Sequence, residues 1–87
     1  MTSTAVLEAI AEPTRRRILD AIRGGEVSVG DLVEIVGMHQ PGISRHLKVL
    51  RDAGLVTSER RGTWVYYRAV PQRLDMIANV ISSSALV

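Results

Sequence analysis

The chain contains no cysteine and no phenylalanine. Without thiols there can be no disulfide, no thiolate metal site and no thiol redox sensor. Without phenylalanine, an 87-residue chain must build its core from Leu, Ile, Val and Ala, with Trp64, Tyr66 and Tyr67 as its only aromatic rings besides two histidines. A chain this short makes one small domain with a thin core, for which self-association is a common remedy. No apolar run approaches the roughly 20 residues of a bilayer span. The opening MTSTAVLEAIAEP lacks the basic start of a secretory signal. The expected location is therefore the cytoplasm, with no membrane partner. There is no glycine-rich phosphate loop followed by Lys, and no carboxylate pair with a nearby His, so no enzyme is expected.

What the chain does have is an uneven charge. The net charge is only +2, yet between His39 and Arg68 six basic residues face just Asp52 and Glu59. A basic central block within a near-neutral whole suggests a surface for a polyanion. Basic residues on helices are also often simply solvated, so the block must be placed on elements before it means anything.

The order of elements follows from the hydrophobic period and the breakers. Ser3 or Thr4 can cap a first helix with an apolar stripe at Val6, Leu7, Ile10 and Ala11. Pro13 suits the first turn of a second helix that buries Ile18, Leu19 and Ile22 and ends at Gly24-Gly25. Ser28 starts a third helix, with Asp31 at capping-box spacing, an apolar side at Leu32, Val33, Ile35 and Val36, and a stop at Gly37. A short link, Met38-His39-Gln40, leads into a fourth helix over Gln40 to Ala53, closed by Gly54. The period then changes to two. Leu55 to Glu59 and Thr63 to Val70 read as strands joined by a basic turn at Arg60-Arg61-Gly62. Pro71 breaks the hairpin, and a last helix over Gln72 to Ser83 carries Leu74, Ile77, Ala78 and Ile81. The expected fold is mainly α with a β-hairpin wing: a winged helix-turn-helix of five helices and two antiparallel strands.

At about 100° per residue, the fourth helix places Ile43, Leu47 and Leu50 on one face and Gln40, Pro41, Ser44, Arg45 and Lys48 on the other. The polar set suits a major groove. Arg can grip guanine bidentately, Gln can do the same for adenine, Ser serves base or phosphate, and Lys supplies charge. Which of them read bases and which only phosphates is not fixed by the sequence. His46 flanks the apolar stripe and reads as a packed, hydrogen-bonded histidine. Arg51 reads as a charge complementing the helix C-terminus. Arg15, Arg16 and Arg17 read as solvated or salt-bridged. Trp64, Tyr66 and Tyr67 read as hairpin and core packing rather than base stacking. His39 and His46 lie about 10 Å apart along the chain's helical path and cannot share one metal ion within a protomer.

The stretches EPTRRRILDAI, GEVSVGDLVEIVGMHQPGISRHLKVLRDAGLV and RRGTWVYYRAV resemble the ArsR/SmtB family of bacterial and archaeal transcriptional repressors. The resemblance runs from about Leu7 to Val70. It implies a winged-helix homodimer that binds a dyad-symmetric double-stranded DNA operator, over a single domain of residues 1–87. In that scheme 3–11 and 72–83 are dimerisation helices, 28–54 the helix-turn-helix and 55–70 the wing. Operator contacts then fall to His39, Gln40, Ser44, Arg45, Lys48, Arg60, Arg61 and Thr63, and the dimer face to Val6, Ile10, Leu74, Ile77 and Ile81. Two departures matter. Where some family sensors place metal-binding cysteines in the third helix, this chain has Ser28 and Gly30, and the last helix has Asp75 but no His. No metal and no cofactor is therefore expected. Where members often have Ser as the cap of the fourth helix, this chain has His39, a poorer cap. An inducer or protein antagonist is left unnamed by the sequence. The competing function is a winged helix used as a protein-interaction module without an operator; the polar face of the fourth helix argues against it.

Overall fold

A computed structural model describes residues 3–74. The elements run α1 (Ser3–Ala11), α2 (Pro13–Arg23), β1 (Val27–Ser28), α3 (Val29–Val36), α4 (Gln40–Asp52), β2 (Val56–Arg61) and β3 (Trp64–Ala69). Residues 71–74 then turn helical, the Arg73 and Leu74 N–H groups bonding Val70 O. Pro71 thus opens the last helical segment as well as ending the hairpin. The rest of the expected helix, with Ile77 and Ile81, lies outside the described residues.

The expected winged helix-turn-helix is present, with one addition. Val27–Ser28 forms a third strand, and the sheet order is β1-β3-β2, all antiparallel. Two residues are too short for a period to show, and Ser28 serves two elements at once. Its backbone pairs with Tyr66 while its hydroxyl accepts the Asp31 N–H at 3.1 Å, capping α3.

The core is a single cluster. Ile18, Ile22, Leu32, Ile43, Leu47, Leu50, Leu55 and Val56 are all less than 2% exposed. Each such burial contributes about 1.5–3 kcal/mol. Four helices and the base of the hairpin converge on them, with Tyr67 closing the sheet side. Val6 is only 7% exposed within the single chain, because α1 turns it into the protein's own core, while Leu7, at 51%, is the large apolar α1 side chain left outward. Two expectations are corrected here. Ile35 is 56% exposed, since Leu32 and Val36 already fill the inward side of a helix of only eight residues. Trp64 is 60% exposed at the end of the hairpin, beyond the reach of the core that takes Tyr67.

The joint between α1 and α2 has its own chemistry. A helix leaves its last four carbonyls without intrahelical donors, and Pro13, just beyond, has no N–H to offer. In α1 these are the carbonyls of Glu8, Ala9, Ile10 and Ala11. Arg15 donates to Glu8 O and Ala9 O, and Arg16 to Ile10 O and Ala11 O. Arg17 donates to Val36 O at the end of α3. The three arginines, expected to be solvated or salt-bridged, also cap helix ends, with Arg16 and Arg17 still exposed. Their signal in the sequence was the short α1 running straight into proline.

Candidate nucleic-acid interface

The helix-turn-helix link is short because Gly37 takes a left-handed conformation (φ 74°), and its N–H bonds Val33 O at 2.9 Å. The chain therefore leaves α3 at once and re-enters a helix after Met38 and His39. His39 stands at the N-cap of α4 without a side-chain capping bond, as its chemistry predicts. Its carbonyl accepts from the Gly42 and Ile43 N–H groups. Met38 folds across this first turn. A methyl group on Gly42 would meet its sulfur at 2.7 Å, so glycine lets Met38 settle there.

From that start, α4 buries Ile43, Leu47 and Leu50 and exposes Gln40, Pro41, Ser44, Arg45 and Lys48 along one side, as the period predicts. Arg45 has no bonded partner among the described residues. Lys48 donates to Asp52 Oδ2 at 2.9 Å, a pair about two-thirds exposed on both sides. Lys48 in turn holds the Asp52 carboxyl below its usual value. An exposed i,i+4 pair of this kind is weak and opens readily.

His46 is packed against the helix-one corner. Its Nδ1 lies 3.3 Å from Arg15 Nη1 and 3.7 Å from Glu12 Oε2. Glu12 caps α2 through the Arg15 N–H. Burial pushes the Glu12 carboxyl up, but backbone donors at Thr14 and Arg15 and the His46 ring outweigh it and hold it below the ordinary carboxylate value. Arg15 thus spans the α1 terminus and α4, and helps fix the angle at which α4 leaves the core.

The wing differs from the expected hairpin at its tip. Arg60 and Arg61 belong to β2, Arg61 pairs with Trp64, and the turn is only Gly62-Thr63. Positive φ at Gly62 (63°) and not at Thr63 is the pattern of a type II′ turn, whose twist matches the strands. Arg60 is exposed, its Nε bonding Gly62 O at 3.3 Å. Arg61, expected to be a free basic residue at the tip, is engaged within the protein. Its Nη2 meets Glu26 Oε2 at 2.6 Å and Glu59 Oε2 at 3.0 Å, and its guanidinium lies 4.6 Å from the centre of the Tyr66 ring. Arg68 Nε reaches the same Glu26 oxygen at 2.9 Å. Glu26, given no role from the sequence because it precedes the strand it serves, is the hub of this face.

Comparison with known proteins places the chain among regulators. A family model described as the bacterial regulatory protein, arsR family, matches residues 12–58. The transcriptional repressor SdpR of Bacillus subtilis is 42% identical over 71% of this chain and 69% of its own length. The arsenic resistance transcriptional regulator ArsR1 of Pseudomonas putida is 40% identical over 97% of this chain and 70% of its own length. Among solved structures, a homodimeric winged helix-turn-helix DNA-binding domain from Mycobacterium bovis superposes with a TM-score of 0.80 at 32% identity, covering 95% of this chain and 80% of that one.

The Glu26 cluster predicts a pH effect of definite sign. Hydrogen bonds from Arg61 and Arg68 hold the Glu26 carboxyl below its ordinary value of 4.5. A group lowered in the folded state contributes stability above its unfolded value and loses that contribution as pH falls through the folded one. Glu12 and Asp52 are lowered too, so the Glu26 share must be isolated by difference. Melting temperature should fall on acidification below the carboxylate range, and Glu26→Gln should lower it at neutral pH and show a shallower fall. Parallel profiles for the two proteins would mean that the cluster does not tie the wing down.

Proposed function

This chain belongs to the ArsR family of bacterial regulatory proteins, and from that footing we propose that it is a repressor that binds a dyad-symmetric operator as a homodimer, without a metal-sensing site. The family is one of DNA-binding transcriptional regulators, not enzymes. The observation that carries the reading is the exposed polar side of α4. Gln40, Ser44 and Arg45 face outward on a helix whose other side is locked into the core. In this reading the helix-turn-helix spans 28–54 and the wing 55–70. Gln40, Ser44 and Arg45 enter the major groove, Lys48 supplies phosphate charge, and His39 stands beside phosphate at the uncapped entrance of the helix. Arg60 and Thr63 bring the wing to the adjoining backbone. Arg45→Ala should weaken operator binding by about 1–3 kcal/mol and scrambled duplex less. Lys48→Ala should weaken both alike and flatten the salt dependence by about one unit. Equal loss on both DNAs for Arg45→Ala would reduce Arg45 to a phosphate contact.

The homodimeric Mycobacterium bovis neighbour supports pairing of two chains. Residues 3–11 and 72–83 supply the faces. Ile10 and Leu74 are partly buried against the chain's own core, and Leu7 is the exposed large apolar residue of α1. A dimer of this kind sets two copies of α4 about 34 Å apart, to meet successive major grooves. Leu7→Asp should weaken the dimer, and Ile77→Asp should yield monomers or unfolded chain by sedimentation. An unchanged dimer in both would remove these helices from the interface.

Independence from metal rests on what fills the positions that sensors use. Ser28 is occupied in capping α3, Gly30 has no side chain, and no group of three or more His, Cys, Asp or Glu converges among the described residues. Zinc, cadmium, nickel or arsenite titrated against the protein–operator complex should leave affinity within about tenfold, or 1.4 kcal/mol. A larger fall reversed by a chelator would reveal a site elsewhere.

A further inference from the structure

The three arginines of the wing are not equivalent. Arg61 and Glu59 on β2 share one face of the sheet with Trp64, Tyr66 and Arg68 on β3, and Glu26 lies just ahead of β1 on that side. One oxygen of Glu26 accepts from both Arg61 (2.6 Å) and Arg68 (2.9 Å), and Glu59 accepts from Arg61 as well. The Glu26 side chain is only 19% exposed, in contrast to Asp52 at 60%, which pairs with Lys48. Arg60 points its group away from both carboxylates, bonding only Gly62 O. We propose that Glu26 is a specificity-determining residue of DNA binding: it holds Arg61 and Arg68 back from phosphate, leaves Arg60 as the working cation of the wing, and so keeps sequence-independent binding weak.

The reason is electrostatic. Non-specific affinity comes from cations that displace condensed counterions, roughly 0.9 per phosphate neutralised. A guanidinium that arrives with its own carboxylate brings a compensating negative charge and releases fewer. Arg60, Arg61 and Arg68 against Glu26 and Glu59 leave one net positive charge on the wing. Sequence discrimination then rests on α4, whose base-edge contacts are the ones that differ between operator and random DNA. The inference rests on the DNA-binding reading above and adds to it the partition of the wing's charge.

The test compares the native full-length chain, Glu26→Gln, Arg60→Ala, Arg61→Ala and the Glu26→Gln/Arg61→Ala double variant. Each is titrated against its own promoter duplex and a scrambled duplex over a range of salt. Glu26→Gln should bind scrambled DNA more tightly, steepen the salt dependence by about one to two units, and lower the ratio of promoter to scrambled affinity. Arg61→Ala should flatten the dependence by about one unit in the Glu26→Gln background and by less than half of that in the native one. A purely structural Glu26 would instead weaken binding to both duplexes, with an unchanged or shallower slope, and that result overturns the proposal. Should Glu26→Gln not fold by circular dichroism, the native background decides: Arg60→Ala must flatten the slope more than Arg61→Ala, and equal flattening overturns it. A native chain that binds neither duplex would sink the operator reading itself, and this inference with it, whereas native binding with the wrong slope pattern would sink this inference alone.

Discussion

The outward polar side of α4 depends on one stripe, Ile43, Leu47 and Leu50, each fully buried. Because these three side chains share a face of α4, burying them fixes the helix's rotation about its own axis. Gln40, Ser44, Arg45 and Lys48 then have only one place to go. No separate interaction is needed to aim them; the hydrophobic effect does so through the period of the helix. The stripe is met by Ile18 and Ile22 from α2 and Leu32 from α3. The angle between the two helices of the motif is thus a property of the core and not of the link between them.

The carbonyls that a helix leaves without intrahelical donors are handled with the same economy. Arg15 and Arg16 take the four terminal carbonyls of α1, Arg17 takes one from α3, and Arg15 also meets His46 on α4. Read as charge, these residues look like solvated or salt-bridged surface groups. In the fold they are donors, and the run of three is set by geometry at a helix corner. The net charge of the chain therefore overstates how much of it is offered to a polyanion.

Much of this was legible in the sequence. The four described helices, the glycine stops, the polar side of α4 and the packed role of His46 all follow from local period and capping chemistry, which act within a few residues. What was not legible came from contacts between distant residues. Strand β1 exists only because Tyr66 and Tyr67 arrive beside it. The capture of Arg61 by Glu26 spans thirty-five positions. The place of Val6 in the chain's own core was not legible either, because an apolar stripe on a short helix does not say which core will bury it. Trp64 was grouped with Tyr66 and Tyr67 as hairpin and core packing; the pairing of Arg61 with Trp64 puts it at the hairpin's exposed end. The charge block singled out α4 and the wing, but individual charges were assigned by type, and pairing cannot be seen from type.

The proposed mode of binding requires that α4 be the element that enters the DNA. Backbone amide resonances followed by NMR during titration with a duplex from the chain's own promoter region would test this directly. The largest shifts should fall on residues 39–48 and 60–63, with the buried stripe and the outward Ile35 of α3 little changed. Shifts centred on α2 or the exposed side of α3, with residues 40–48 unmoved, would contradict it.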